Sequence, residues 1–227
     1  MPAPKIIVFD VNETLLGLSP LRQAVGKALD GREDLLPLWF TTMLHYSLVE
    51  TLTGQYRDFG EIGVAALLMV AEKEGIELAE DEAERLIVGT ITALPAHADV
   101  KPGLASLGDQ GFTLVSLTNS TNAGFGKQFE YAGLTNCFAQ RFSIEDVKRY
   151  KPAPQPYQMV LDTVGVAAAE ALMVAAHPWD LMGASAVGLQ TALLMRPGVV
   201  MYPKMSEPDF IADDVLDLAN QLQALKR

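Results

Sequence analysis

Asp10 stands where the apolar run Ile6-Ile7-Val8-Phe9 stops. Thr118 and Asn119 follow the run 112–117, His177 and Asp180 follow the run 171–175, and Lys151 lies in a polar stretch between them. A carboxylate in such a place holds a reactive position, and a hydroxyl with an amide can bind an anion that develops near it. A lysine can hold a carboxylate ionised by charge pairing, and a second carboxylate can orient that lysine. Taken singly, each has a plainer use: Asp10 as a loop residue capping a turn, Lys151 as a solvated surface lysine, Asp180 as a helix cap. Three ends of apolar runs deliver polar residues to one face, with Lys151 from a loop, and together they make one candidate site.

Bringing these side chains together requires strands that end on one edge of a sheet. The β-branched and aromatic run before Asp10 reads as a strand buried on both faces, and open α/β sheets bind ligands beyond the carboxyl ends of such strands. Further strands are predicted at 112–117, 137–142, 171–175 and 190–194. Helices are predicted after Lys101-Pro102-Gly103, at 124–131, at 154–164, from His177-Pro178 onward and at 213–225. The alternation predicts an α/β, Rossmann-like, doubly wound parallel sheet. From Gly17 to Pro95 the spacing is helical throughout, with Ser19-Pro20 as a start in which serine caps, and further helices at 35–52, 59–74 and 80–93. These helices read as a cap domain, 17–95, inserted into a core domain formed by 1–16 and 96–227.

With 227 residues, 49% of them hydrophobic, the chain can bury a substantial core. Its net charge of −11 argues against a nucleic-acid partner. Cys137, the one cysteine, excludes an internal disulfide, suits a reducing compartment and is expected to be a buried core thiol. No apolar stretch has the length of a membrane span, and no apolar secretory segment precedes Asp10, so a cytoplasmic enzyme is expected.

The pattern of four apolar residues, Asp10, and Thr14 four positions on resembles the first motif of the haloacid dehalogenase superfamily. Thr118, Lys151 and Asp180, in that order, resemble its second, third and fourth motifs. Phosphatases of that superfamily carry a second aspartate two residues after the nucleophile, where this chain has Asn12. They also hold Mg²⁺ with a further acid before Asp180, where this chain has Ala176, so phosphoryl transfer is disfavoured. The type II L-2-haloacid dehalogenases are similar over nearly the whole chain. The matching pieces are Leu38-Trp39, Tyr46-Ser47, Tyr56-Arg57-Asp58-Phe59, Thr118-Asn119-Ser120, Lys151-Pro152 with Tyr157, and Trp179-Asp180 with Gly183-Ala184.

This resemblance implies that Asp10 displaces a group from the α-carbon of a small 2-substituted carboxylic acid and that water hydrolyses the resulting ester, with no metal and no cofactor. It implies that Thr14 orients Asp10, that Lys151 and Asp180 support its charge, and that Tyr157 bonds nearby. Thr118 and Asn119 would bind the carboxylate or the leaving group, and Phe59 and Trp179 would form apolar walls, with plain core packing as the alternative for both. A homodimer through the cap helices is also implied. Five positions depart from the family pattern: Phe40 replaces an arginine that receives the halide, Asn12 an aromatic residue, Glu13 a glycine, Ala175 a serine and His177 an asparagine. Three readings follow. One is a haloacid dehalogenase in which Asn119, Trp179 and another donor receive the halide. The second is the same two-step reaction on a strained cyclic amino acid such as azetidine-2-carboxylate, with Glu13, His177 and His45 handling the amine. The third is a non-catalytic binding protein, against which the joint presence of Asp10, Lys151 and Asp180 counts.

Overall fold

In the computed structural model, which describes residues 3–225, the first apolar run forms strand β1 (Ile6–Phe9), buried along its whole length. Neither face meets solvent, because β1 lies inside a parallel sheet covered by helices. It pairs with β2 (Thr113–Thr118) on one side and with β4 (Ala171–Ala175) on the other, Ile6 standing opposite both Thr113 and Ala171. With β3 (Gln140–Ser143), β5 (Gln190–Leu194) and β6 (Phe210–Ala212), the described strands form a six-stranded parallel sheet in the order β3-β2-β1-β4-β5-β6. This is an α/β Rossmann-like fold, and it places the ends of β1, β2 and β4 side by side.

Helices α1 (Ser19–Ala28), α2 (Leu36–Thr53), α3 (Phe59–Glu74) and α4 (Glu80–Ile91) lie between β1 and β2 in the chain. Around the sheet run α5 (Val100–Asp109), α6 (Asn122–Ala132), α7 (Pro154–Val164), α8 (Pro178–Val187) and α9 (Val215–Ala224). The chain leaves for the inserted helices and returns from them through paired segments: Gly17 N donates to Pro95 O at 2.8 Å and His97 N to Leu15 O at 3.0 Å. Among the inserted helices, Trp39 is fully buried and its indole donates to Gly63 O at 2.8 Å. A Cβ on Gly63 would stand 3.2 Å from the Met43 sulfur, so a small residue there permits the close approach of α2 and α3. Asp58 and Glu61 form a reciprocal capping box that fixes the start of α3.

Several boundaries differ from those predicted. Ser19 is the first helical residue and Leu18 occupies the cap position without a side-chain bond. The third strand begins at Gln140 because 134–137 closes a turn, Cys137 N donating to Leu134 O at 3.0 Å. Cys137 is accordingly half-buried and not a core thiol. Strand β6 spans three residues, too short a run for alternation to register. Among the described residues no helix is long and apolar enough to cross a membrane.

Candidate active site

Asp10 follows β1 directly, its backbone N–H donating to Val174 O at 3.0 Å, and its carboxylate is almost fully buried. Both oxygens are engaged. Lys151 Nζ donates to Oδ1 at 2.7 Å and Thr14 Oγ1 donates to Oδ2 at 2.6 Å. The Thr14 hydroxyl in turn accepts from Ala176 N at 2.9 Å, which fixes its orientation. Burial opposes ionisation of Asp10, but the Lys151 ammonium, His177 and the two hydrogen bonds outweigh it and hold the carboxyl below the usual carboxylate range.

Lys151 has three N–H donors, and all are used: on Asp10, on Leu117 O at 3.1 Å, and on Asp180 Oδ2 at 2.7 Å. Although burial disfavours its charge, the two carboxylates raise its pKa above the ordinary value of 10.5. Asp180 lies in the first turn of α8, fully buried, and burial with Asp10 nearby raises its pKa. Tyr157, fully buried on α7, directs its hydroxyl at the Asp180 carboxylate, and also lies 3.1 Å from Asp180 O, so its contact with Asp10 is through Asp180 and Lys151. Gly183 makes room for this arrangement: a Cβ there would meet Pro152 Cβ at 2.5 Å and Tyr157 Oη at 2.7 Å. Gly183→Ala is therefore expected to cost about 1–3 kcal/mol by overpacking and to lower kcat by moving Pro152 and with it Lys151. A urea midpoint equal to that of the wild type would contradict this.

The Thr118-Asn119-Ser120 turn is bound into the core. Thr118 Oγ1 accepts from Ser120 N at 3.1 Å, and Asn119 Oδ1 accepts from Lys151 N at 3.2 Å, which turns the Asn119 amide N–H₂ away from that contact. Asn12 is tied down as well, its Oδ1 accepting from Gln128 Nε2 at 3.0 Å and its amide reaching Ser120 Oγ at 3.4 Å. Glu13 adopts φ 67°, the left-handed region where glycine carries no penalty. Its carbonyl is held at 3.0 Å by His97 Nε2.

Beside Asp10 begins a stack of three rings, His177 Nε2 lying 3.9 Å from Asp10 Oδ2. His177 lies against Trp179 with centroids 5.1 Å apart and against Phe40 of α2 with centroids 5.8 Å apart. Trp39 and Phe40 are adjacent on α2, so their side chains diverge by about 100°, which puts one into the packing with α3 and the other over the site. A largely apolar cavity of about 270 Å³ lies on the Trp179 side, lined by Thr41, Leu44, His45, Ser47, Leu48, Lys151 and Pro152. A second, of about 390 Å³, lies on the His177 side, with Glu13, Arg22, Phe40 and Ala176 in its wall. Phe59 is buried against Tyr150, centroids 5.7 Å apart, and borders a third cavity beside Ser120, away from Asp10's immediate contacts. Among the described residues no group of three or more His, Cys, Asp or Glu side chains is placed to hold a metal ion.

Sequence reasoning did not identify Arg196. Its buried guanidinium donates to Thr14 O at 2.9 and 3.1 Å and pairs bidentately with Asp99 at 2.7 and 2.9 Å, fixing the loop that carries Asp10 and Thr14. The signal was present: a charged residue two positions after the predicted strand 190–194. Tyr150, next to Lys151, was missed similarly; its N–H donates to Thr51 Oγ1 at 3.0 Å and its hydroxyl to Arg57 O, linking the lysine loop to the inserted helices.

The model of the haloacid dehalogenase-like hydrolases matches residues 4–188. The chain is 32% identical to (S)-2-haloacid dehalogenase 1 of Pseudomonas sp. (strain CBS-3) over 83% of each chain. It is 28% identical to haloacetate dehalogenase H-2 of Moraxella sp. (strain B) over 90% of this chain and 91% of that one. The structure of L-2-haloacid dehalogenase from Xanthobacter autotrophicus with chloropropionic acid covalently bound shares the fold at a TM-score of 0.89 and 24% identity, covering 98% of this chain and 99% of that one.

Proposed function

The chain belongs to the haloacid dehalogenase-like hydrolase family, and on that premise we propose that it is a metal-independent (S)-2-haloacid dehalogenase working through an ester on Asp10. One observation carries the reading: the Asp10 carboxylate is buried and kept ionised by Lys151, while the position two residues on is an amide, Asn12, already committed to Gln128. Asn12 in place of an acid leaves no group there to protonate an alkoxide, which suits a leaving group that departs as an anion. The relatives named above are dehalogenases, and this favours halide over the amine of a cyclic amino acid.

In the first step an Asp10 oxygen attacks C2 of the 2-halo acid opposite the halogen. A C–O bond forms, the carbon–halogen pair leaves with the halide, and C2 inverts. Water then adds to the Asp10 carbonyl carbon, and the substrate oxygen departs with a proton as the 2-hydroxy acid, which regenerates the carboxylate and releases one proton overall. Thr14 and Lys151 orient and charge-balance Asp10, Asp180 orients Lys151, and Tyr157 orients Asp180. Asn119 and Thr118 take the substrate carboxylate, and the cavity beside Leu44 and Trp179 takes its alkyl group. Phe59 acts from the border of the site, through Tyr150.

The same reading divides the chain into a core, 1–16 and 96–227, and a helical cap, 17–95; the paired crossings at Gly17 and Pro95 support it. A homodimer in the cytoplasm completes it, supported by exposed Leu48 and Leu52 on α2 and by the single cysteine. With (S)-2-chloropropionate the expected products are chloride and (R)-lactate, formed at the same rate after exhaustive EDTA treatment. Hydrolysis of phosphate esters that requires Mg²⁺, with no halide release from either enantiomer, would contradict the proposal.

A further inference from the structure

The leaving halide needs a hydrogen-bond donor to receive it, and Lys151 has none left to give, since its three N–H groups are on Asp10, Asp180 and Leu117 O. The Arg196 guanidinium is likewise spent on Thr14 O and Asp99. Of the other basic side chains that line the two cavities, His45, Arg22 and His177, it is His177 whose ring nitrogen reaches Asp10, at 3.9 Å. Its Nε2 faces three oxygens: Asn12 O at 3.3 Å, Glu13 Oε2 at 3.5 Å and Asp10 Oδ2 at 3.9 Å. A carbonyl oxygen can only accept, so the Nε2 that faces Asn12 O carries a hydrogen. The bond to Asn12 O is long enough to yield to a stronger acceptor. The ring is held between Phe40 and Trp179 and forms part of the wall of the 390 Å³ cavity, which gives a departing anion room on its side.

Building on the dehalogenase reading, we infer that His177 is the catalytic donor that receives the leaving halide on its Nε2–H, with Phe40 and Trp179 clamping its ring. As the carbon–halogen bond breaks, the electron pair leaves with the halide and Nε2–H donates to it; no proton is transferred. The charged groups facing His177 are Asp10 and Glu13 from the loop after β1, with Lys151 and Asp180 behind Asp10. Arg22 of α1 lines the same cavity and donates to Glu33 O at 3.3 Å.

The test compares wild type, His177→Gln, His177→Asn and Arg22→Gln in single-turnover halide release from (S)-2-chloropropionate and (S)-2-bromopropionate, and in the binding of product chloride. Removing a donor aimed at developing charge costs on the order of 100-fold. Both His177 variants are expected to lose about that much with the chloro acid and less with the bromo acid, whose better leaving group needs less help. They are also expected to bind product chloride more weakly. Phe40→Arg added to His177→Gln is expected to restore part of the rate, by placing a cation against the vacated position. If the His177 variants keep the wild-type chloro-to-bromo ratio and chloride affinity, at whatever rate, the inference is overturned. It is overturned equally if those changes appear in Arg22→Gln instead. Halide release from neither substrate by wild type would sink the dehalogenase reading itself, and the inference with it.

Discussion

Asp10→Asn is expected to abolish turnover, by a factor on the order of 10⁵–10⁶, the loss seen when a nucleophile is removed from a working unit. The effect is chemical and not structural. The amide keeps the shape of the carboxylate, still accepts from either Thr14 or Lys151, and leaves β1 and its pairing untouched. Halide release and thermal unfolding measured on the same preparation separate the two. Residual dehalogenation within about 100-fold of wild type, in a variant shown not to deamidate, would remove Asp10 from the chemistry.

Lys151→Met is expected to damage both activity and stability. The lysine is fully buried between two carboxylates, and removing the cation from such a buried group costs about 3–5 kcal/mol because uncompensated charge remains. The pH dependence has a definite sign. The lowered Asp10 pKa contributes stability that is present above its ordinary value of 3.8 and is lost as pH falls through the lower native value. The raised Lys151 pKa contributes stability present below 10.5 and lost as pH rises through its native value. Asp180 works the other way: its raised pKa gives stability below 3.8 that is lost on ionisation. At neutral pH the Lys151 and Asp10 contributions are both present. Without Lys151, burial raises both carboxyl groups, so the stability gap between variant and wild type narrows as pH falls from 7 toward 4, and an acid limb from Asp10 moves up in the rate profile. Denaturant midpoints at several pH values measure this; a gap that widens on acidification would contradict the assigned charge network.

Asp10 and Asp180 were legible in the sequence because each follows an apolar run, a local signal that the parallel sheet converts into proximity, and Lys151, in a polar loop, was legible through its order and spacing relative to them. Positions 10 and 151 meet only because β1 is central. What was not legible depends on pairings between distant segments. Gln128 holds Asn12 across 116 positions, and Arg196 holds Thr14 across 182, with no periodicity to announce either. Phe40 is a different case. As one apolar residue on a helix with apolar residues all around, it gives no sign of which neighbour it meets, and only the packing of Trp39 into α3 turns it toward His177. Glu13 shows the limit of reasoning by residue type. A glycine is the unstrained occupant of a left-handed turn, and the turn forms here without one because the backbone on both sides of it is bonded, Glu13 N to Leu16 O at 2.8 Å and Glu13 O to His97.

The central claim is that Asp10 becomes an ester whose carbonyl carbon, and not the substrate carbon, is attacked by water. It is tested most directly by a single turnover of (S)-2-chloropropionate in H₂¹⁸O with enzyme in excess, followed by mass spectrometry of the peptide containing Asp10 and of the lactate. The account predicts ¹⁸O in the Asp10 carboxylate and unlabelled lactate. Labelled lactate with Asp10 left unlabelled would contradict it.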